Sequence, residues 1–129
     1  MKKVTKWVAA LAVMGALAGC ARTAPVDNIQ STVSGTHTAQ QVRTAILKAG
    51  KQREWMMTDA GPGVITGRLK NRDHSAEIRI PYSANGYSIN YVGSMNLKAS
   101  DGKIHKNYNR WVNNLDKDIQ LNLSTGADL

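Results

Sequence analysis

The sequence predicts an α+β fold: a two-layer sandwich, with a four-stranded antiparallel sheet carrying two helices on one face, in the order α-β-β-β-β-α. Three observations predict it. Apolar residues recur at helical spacing near residues 42–49 and again at 104–119. Between those stretches, apolar and polar residues alternate with the period of half-buried strands. Turn signals, Asp59-Ala60-Gly61-Pro62-Gly63, Asn71-Arg72-Asp73 and Asn85-Gly86, divide the middle into four runs.

The first helix is predicted over Thr38–Ala49. Thr38 and Gln41 have the spacing of a capping box, in which each side chain satisfies a backbone N–H of the other residue. Val42, Ala45, Ile46 and Ala49 form its apolar face, and Gly50 suits a left-handed stop. The alanines favour close approach to a sheet.

Four strands follow: Glu54–Thr58, Val64–Lys70, His74–Ile80 and Tyr87–Leu97. Pro81 ends the third because it has no N–H to give a ladder. Alternation turns Ile65, Leu69, Ala76, Ile78, Ile80, Tyr87, Ile89 and Tyr91 inward. It turns Arg68, Lys70, Glu77, Arg79, Ser88, Asn90 and Ser94 outward, leaving one sheet face polar and wet. The second helix is predicted from near Lys103. Ile104, Tyr108, Trp111, Val112, Leu115 and Ile119 make the strongest periodic stripe in the chain, with fraying expected around Leu121.

Outside this domain, residues 38–123, the ends read differently. Ala21–His37 contains Pro25, Gly35 and many small polar residues without a stripe, and is expected to be a flexible tether of roughly 20–25 Å root-mean-square span. Residues 124–129 read as a tail. At the start, Lys2, Lys3 and Lys6 precede an apolar run from Trp7 to Leu17, too short for a spanning helix of about 20 residues but suited to a secretory signal.

That run ends in Leu17-Ala18-Gly19-Cys20, which resembles the lipobox of bacterial lipoproteins. The resemblance implies removal of residues 1–19, a diacylglyceryl group and an N-acyl chain on Cys20, and residence on a membrane outside the cytoplasm. No other cofactor is implied. Two or more acyl chains hold a protein stably on a bilayer, whereas one does so only marginally. Ala21, rather than an aspartate, resembles the outer-membrane type of Gram-negative lipoproteins and implies the periplasmic face of that membrane. The segments Tyr87–Tyr91 and Ile104–Leu115 are similar to those of small Gram-negative envelope lipoproteins, a likeness that brings no activity with it.

Cys20 is the only cysteine, so the domain must hold together by packing without an internal disulfide. The precursor carries +8; without its three leader lysines the chain retains fourteen basic and nine acidic residues, or +5. Such a surface suits anionic phospholipid, lipopolysaccharide phosphate or peptidoglycan carboxylates. Nucleic acid is a poor partner for an exported, membrane-held protein.

Motifs for chemistry are weak. His74 and Glu77 would face opposite sides of a strand, and the helical neighbour of His105, Asn109, is a poor zinc ligand. No metal site is therefore expected. Ser100-Asp101-Gly102-Lys103 matches the S-x-x-K pattern of penicillin-binding enzymes, but a glycine interrupts it and no K-T-G companion exists. Asp116 and Asp118, beside Lys117, read as decoration of a solvated helix face.

These readings favour a non-enzymatic binding domain that docks an envelope protein, peptidoglycan or lipopolysaccharide through Arg68, Lys70 and Arg79, or through an edge strand. Two rivals stand beside it. One is a small hydrolase or transferase acting on wall material through His105 or His74. The other is a small-molecule sensor with a pocket lined by Trp55, Met57 and Trp111.

Overall fold

The computed structural model describes residues 22–125, so the predicted signal segment, Cys20 and the last residues of the predicted tail lie outside the described residues. The fold is α+β, as expected, with more strands than the sequence predicted. In chain order the elements are β1 (Thr23–Pro25), β2 (Ile29–Thr32), α1 (Ala39–Gln52), β3 (Met56–Asp59), β4 (Val64–Asn71), β5 (His74–Pro81), β6 (Gly86–Met95), β7 (Lys103–His105) and α2 (Lys106–Thr125). The main sheet has five strands in the order β2-β6-β5-β4-β3, and β1 pairs with β7 in a separate two-stranded ribbon. All pairings are antiparallel.

The predicted tether is the principal correction. Residues 23–32 are not a free linker but two strands, one on each sheet. Ile29 pairs with Ile89, and Val33 is buried in the core. Asparagines distant in sequence hold the segment down. Asn109 donates to the Pro25 carbonyl (2.9 Å) and accepts from the Asp27 N–H (3.0 Å), while Asn28 accepts from the Tyr91 N–H (3.0 Å). Local composition cannot reveal an order that long-range partners impose.

Helix α1 begins with the capping box. The Thr38 hydroxyl accepts from the Gln41 N–H at 3.1 Å, and the Gln41 side chain accepts from the Thr38 N–H at 2.9 Å. The helix does not stop at Gly50. It runs to Gln52, and Glu54 takes the left-handed conformation (φ 65°). Gly50 serves close approach instead: a Cβ there would lie 2.3 Å from Met57 Cε and 2.5 Å from Met57 Cγ.

The predicted inward residues Ile65, Leu69, Ala76, Ile78, Ile80, Tyr87 and Ile89 are buried together with Val42, Ala45, Ile46 and Ala49 of α1 and Tyr108, Val112, Leu115 and Ile119 of α2. Both helices therefore share one core with one sheet face. Between β5 and β6 the register shifts: Ile78 faces Tyr91 and Glu77 faces Gly93, so Val92 has no partner. This bulge reverses the alternation beyond it. Ser94, predicted outward, turns inward, where its hydroxyl meets that of Tyr91 at 2.7 Å, and Met95 turns out.

The start and end of the second helix also move. Lys103–His105 form β7, so α2 begins at Lys106. The helix continues past the exposed Leu121 to Thr125, because Leu123, four residues after Ile119, rejoins the apolar stripe. Asn122 is buried beside it and donates to the Ala45 carbonyl of α1 at 3.2 Å.

Candidate docking face

The sheet face turned away from the helices carries the three predicted docking residues. Arg68 and Lys70 are exposed on β4, and Arg79 is exposed on β5 between Thr66 and Asn90 of its neighbours. They are not equivalent. Arg68 lies directly across the ladder from Glu77, their charged groups 3.9 Å apart, a solvated pair of small energetic weight. Lys70 faces Ser75, and neither Lys70 nor Arg79 has a carboxylate within 4.0 Å among the described residues.

Sequence reasoning missed the apolar part of this face. Met56, Val92 and Met95 are 72, 56 and 63% exposed. Met56 pairs with Arg68, and together with Thr58, Thr66, Glu77 and Val92 they line a shallow depression of about 250 Å³. Simple alternation would have put Met95 in the core; only the bulge at Val92 brings it out. The face is thus mixed, long-chain apolar groups among guanidinium and ammonium groups, with no helix or strand of the described residues laid over it. A wider, polar trough of about 440 Å³ runs along the sheet edge between β2 and the β5–β6 turn, lined by Ser31, Tyr82, Asn85 and Ser88 among others.

A second polar group is internal. The Tyr87 hydroxyl donates to an Asp116 carboxylate oxygen, the Ser31 hydroxyl donates to the same carboxylate at 2.7 Å, and the Gln120 amide donates to the Tyr87 oxygen at 3.1 Å. Burial first, and then the Asp116 carboxylate, raises the Tyr87 phenol above the ordinary tyrosine value. A phenol held protonated against a carboxylate that already accepts two hydrogen bonds is a knot joining β2, β6 and α2. Asp118 likewise binds the Arg53 guanidinium at 2.6 Å and raises its pKa. Both aspartates, expected to be simple surface decoration, tie α2 to the rest of the fold.

The residues of the rival readings are dispersed. The His74 ring contacts the Asn96 carbonyl at 2.8 Å, the His105 ring accepts the Asn107 N–H at 3.1 Å near the start of α2, and the His37 ring contacts the Leu123 carbonyl at 3.1 Å. Among the described residues no three His, Cys, Asp or Glu side chains gather around one point. Ser100 and Lys103 exchange both backbone hydrogen bonds (3.0 and 2.9 Å) around Asp101 and Gly102, which have φ of 52° and 76°. That is a tight two-residue hairpin, so Ser100 does not open a helix as the S-x-x-K chemistry requires. Between helix and sheet, Trp55 and Trp111 border a recess of only about 90 Å³, against roughly 300–1,000 Å³ for small-molecule sites. Met57 does not line it, being seated instead against Gly50 and Gly67.

No protein-family model matches this chain, and no curated protein is similar enough to count as a relative.

Proposed function

We propose that this protein is an envelope lipoprotein, held by acyl groups on Cys20 at the periplasmic face of the outer membrane, whose domain binds a partner rather than catalysing a reaction. The observation that carries the binding role is the uncovered sheet face. Met56, Val92 and Met95 are exposed there beside Arg68, Lys70 and Arg79. Large apolar side chains clustered on one exposed face mark an interaction surface, and the basic groups around them favour an anionic partner of the envelope, a protein or a wall polymer. Short edges at β2 and β3 offer a further route by strand addition.

The anchor and the docking face are tested separately. Intact-mass measurement of the protein extracted from its own membrane should give a chain starting at Cys20 plus diacylglycerol and one acyl group; an unmodified chain would remove the anchor. For the face, Arg68→Glu together with Arg79→Glu should abolish co-purification of the partner in mild detergent while leaving the thermal midpoint within a few degrees of wild type. Unchanged association of the folded double variant would overturn the docking assignment.

A further inference from the structure

A second charged surface lies where the chain enters the fold. The β1–β7 ribbon is short: Thr23 pairs with His105, Ala24 with Ile104 and Pro25 with Lys103. Its hydrogen bonds reach the flanking residues. The Lys106 N–H donates to the Arg22 carbonyl (3.2 Å), the Val26 N–H to the Gly102 carbonyl (2.9 Å) and the His105 N–H to the Leu97 carbonyl (2.7 Å). Ile104 is buried beneath the ribbon. Around it Arg22, Lys98, Lys103, Lys106 and Arg110 are all exposed. Among the described residues none of the five has a carboxylate within 4.0 Å. Asp101, in the turn before Lys103, is the one acidic residue within the stretch 98–110, and the carboxylate of Asp27 is engaged by the Asn113 amide at 3.0 Å.

The position of this collar gives it meaning. Only Ala21 and Arg22 stand between Cys20 and β1. From Cys20 to Thr23 is three residue steps, at most about 11 Å, so a lipid on Cys20 would keep the start of the ribbon close to the headgroups, little beyond one Debye length of about 8 Å at physiological salt. We infer that the basic collar of Arg22, Lys98, Lys103, Lys106 and Arg110 lies against the membrane that holds the anchor and binds its anionic phospholipid phosphates, fixing the orientation of the domain. This inference rests on the acylation of Cys20 proposed above. It gives the collar and the sheet face different tasks, one toward the bilayer and one toward the partner.

Lysine footprinting of the full, membrane-extracted protein tests it. The protein is reconstituted into vesicles of phosphatidylcholine alone or with phosphatidylglycerol, then briefly acetylated, and each lysine is read by mass spectrometry. Lys98, Lys103 and Lys106 should be modified at least about fivefold more slowly in the phosphatidylglycerol vesicles, as a bound ammonium worth about 1 kcal/mol requires. High salt should erase the difference. Lys48 and Lys51 of α1, and Lys70 of the sheet face, serve as controls and should not change. Equal rates at the collar in both vesicles, or protection of Lys70 instead, would overturn the inference. The intact mass of the same sample reports acylation independently. If Cys20 carries no lipid, the anchor reading fails, and adding the same vesicles to the unanchored chain still decides whether the collar binds them.

Discussion

The hydroxyl of Tyr87 on β6 donates to the carboxylate of Asp116 on α2, across the interface between the main sheet and the longer helix. Tyr108, on the same helix, has its hydroxyl buried with no hydrogen-bond partner among the described residues, its ring set edge-on to Tyr91 at 5.2 Å. Two buried tyrosines therefore make opposite contributions through the same chemical group. A phenol bonded to a carboxylate repays its desolvation, and an unbonded one does not.

Removing each hydroxyl should separate the two effects. Tyr87→Phe leaves the Asp116 carboxylate with Ser31 as its remaining side-chain donor, and should cost about 1.5–3 kcal/mol, the range for hydrogen bonds to charged groups. Tyr108→Phe keeps the packing and removes an unsatisfied polar atom, so it should be neutral or stabilising by up to about 1 kcal/mol. Urea denaturation of both variants checks the contrast. Equal destabilisation would show that Tyr108 has a partner after all.

Alkaline pH should weaken the fold through the same residues. Burial is the main cause that raises both phenols, with Asp116 adding for Tyr87 and Tyr91 and Asp27 adding for Tyr108. The folded state thus keeps protons that the unfolded chain releases near the ordinary tyrosine value of about 10. The resulting stability is complete below that pH and is lost as pH rises through the higher folded values. Denaturation midpoints should be flat in phenol titration up to about pH 9.5 and fall beyond it. Near-ultraviolet phenolate absorbance from Tyr87 and Tyr108 should appear together with loss of structure, and Tyr87→Phe should flatten the decline.

Much of the core was legible because it is periodic. Ile65, Ile78, Ile80 and Ile89 alternate, Val42, Ala45, Ile46 and Ala49 repeat at helical spacing, and all of them are buried. What escaped was set by partners far along the chain. Pro25 and Asp27 carry no strand signal of their own; Asn109 and Asn113, more than eighty residues later, supply the bonds that dock them. The bulge at Val92 belongs to the pairing of two strands, so a single strand's alternation cannot show that Met95 faces out. On the open sheet face, the exposure of Arg68, Lys70 and Arg79 was readable from alternation and that of Met95 was not.

Gly50 should resist replacement although alanine is the better helix former. A Cβ at this position meets Met57 along its length, at Cγ as well as at the mobile Cε, so rotating the methionine tip alone does not make room. Gly67 bounds the same side chain from β4, where a Cβ would lie 2.9 Å from the sulfur. Gly50→Ala should therefore destabilise by about 1–3 kcal/mol, the usual cost of overpacking. Combined with Met57→Ala, the added methyl should cost less than it does alone, a coupling that a double-mutant cycle by thermal denaturation measures. An additive cycle would place the strain elsewhere.

Asn109→Ala should loosen the entry segment selectively. Its side chain bonds the Pro25 carbonyl and the Asp27 N–H at once, and its own backbone carbonyl accepts from Asn113 at 2.7 Å. Truncation leaves the two backbone groups of the β1–β2 connection to solvent, at a cost of about 1–2 kcal/mol. Because Ile104, Tyr108 and Val112 keep their buried places, the main sheet should retain its protection. Amide hydrogen exchange should therefore accelerate in residues 23–28 while β4 and β5 stay slow. Uniform acceleration would mean that β1 unfolds only with the whole domain, making the entry segment part of the cooperative unit rather than a strap laid on it. A strap that opens would also free Thr23–Pro25 from its pairing with Lys103–His105.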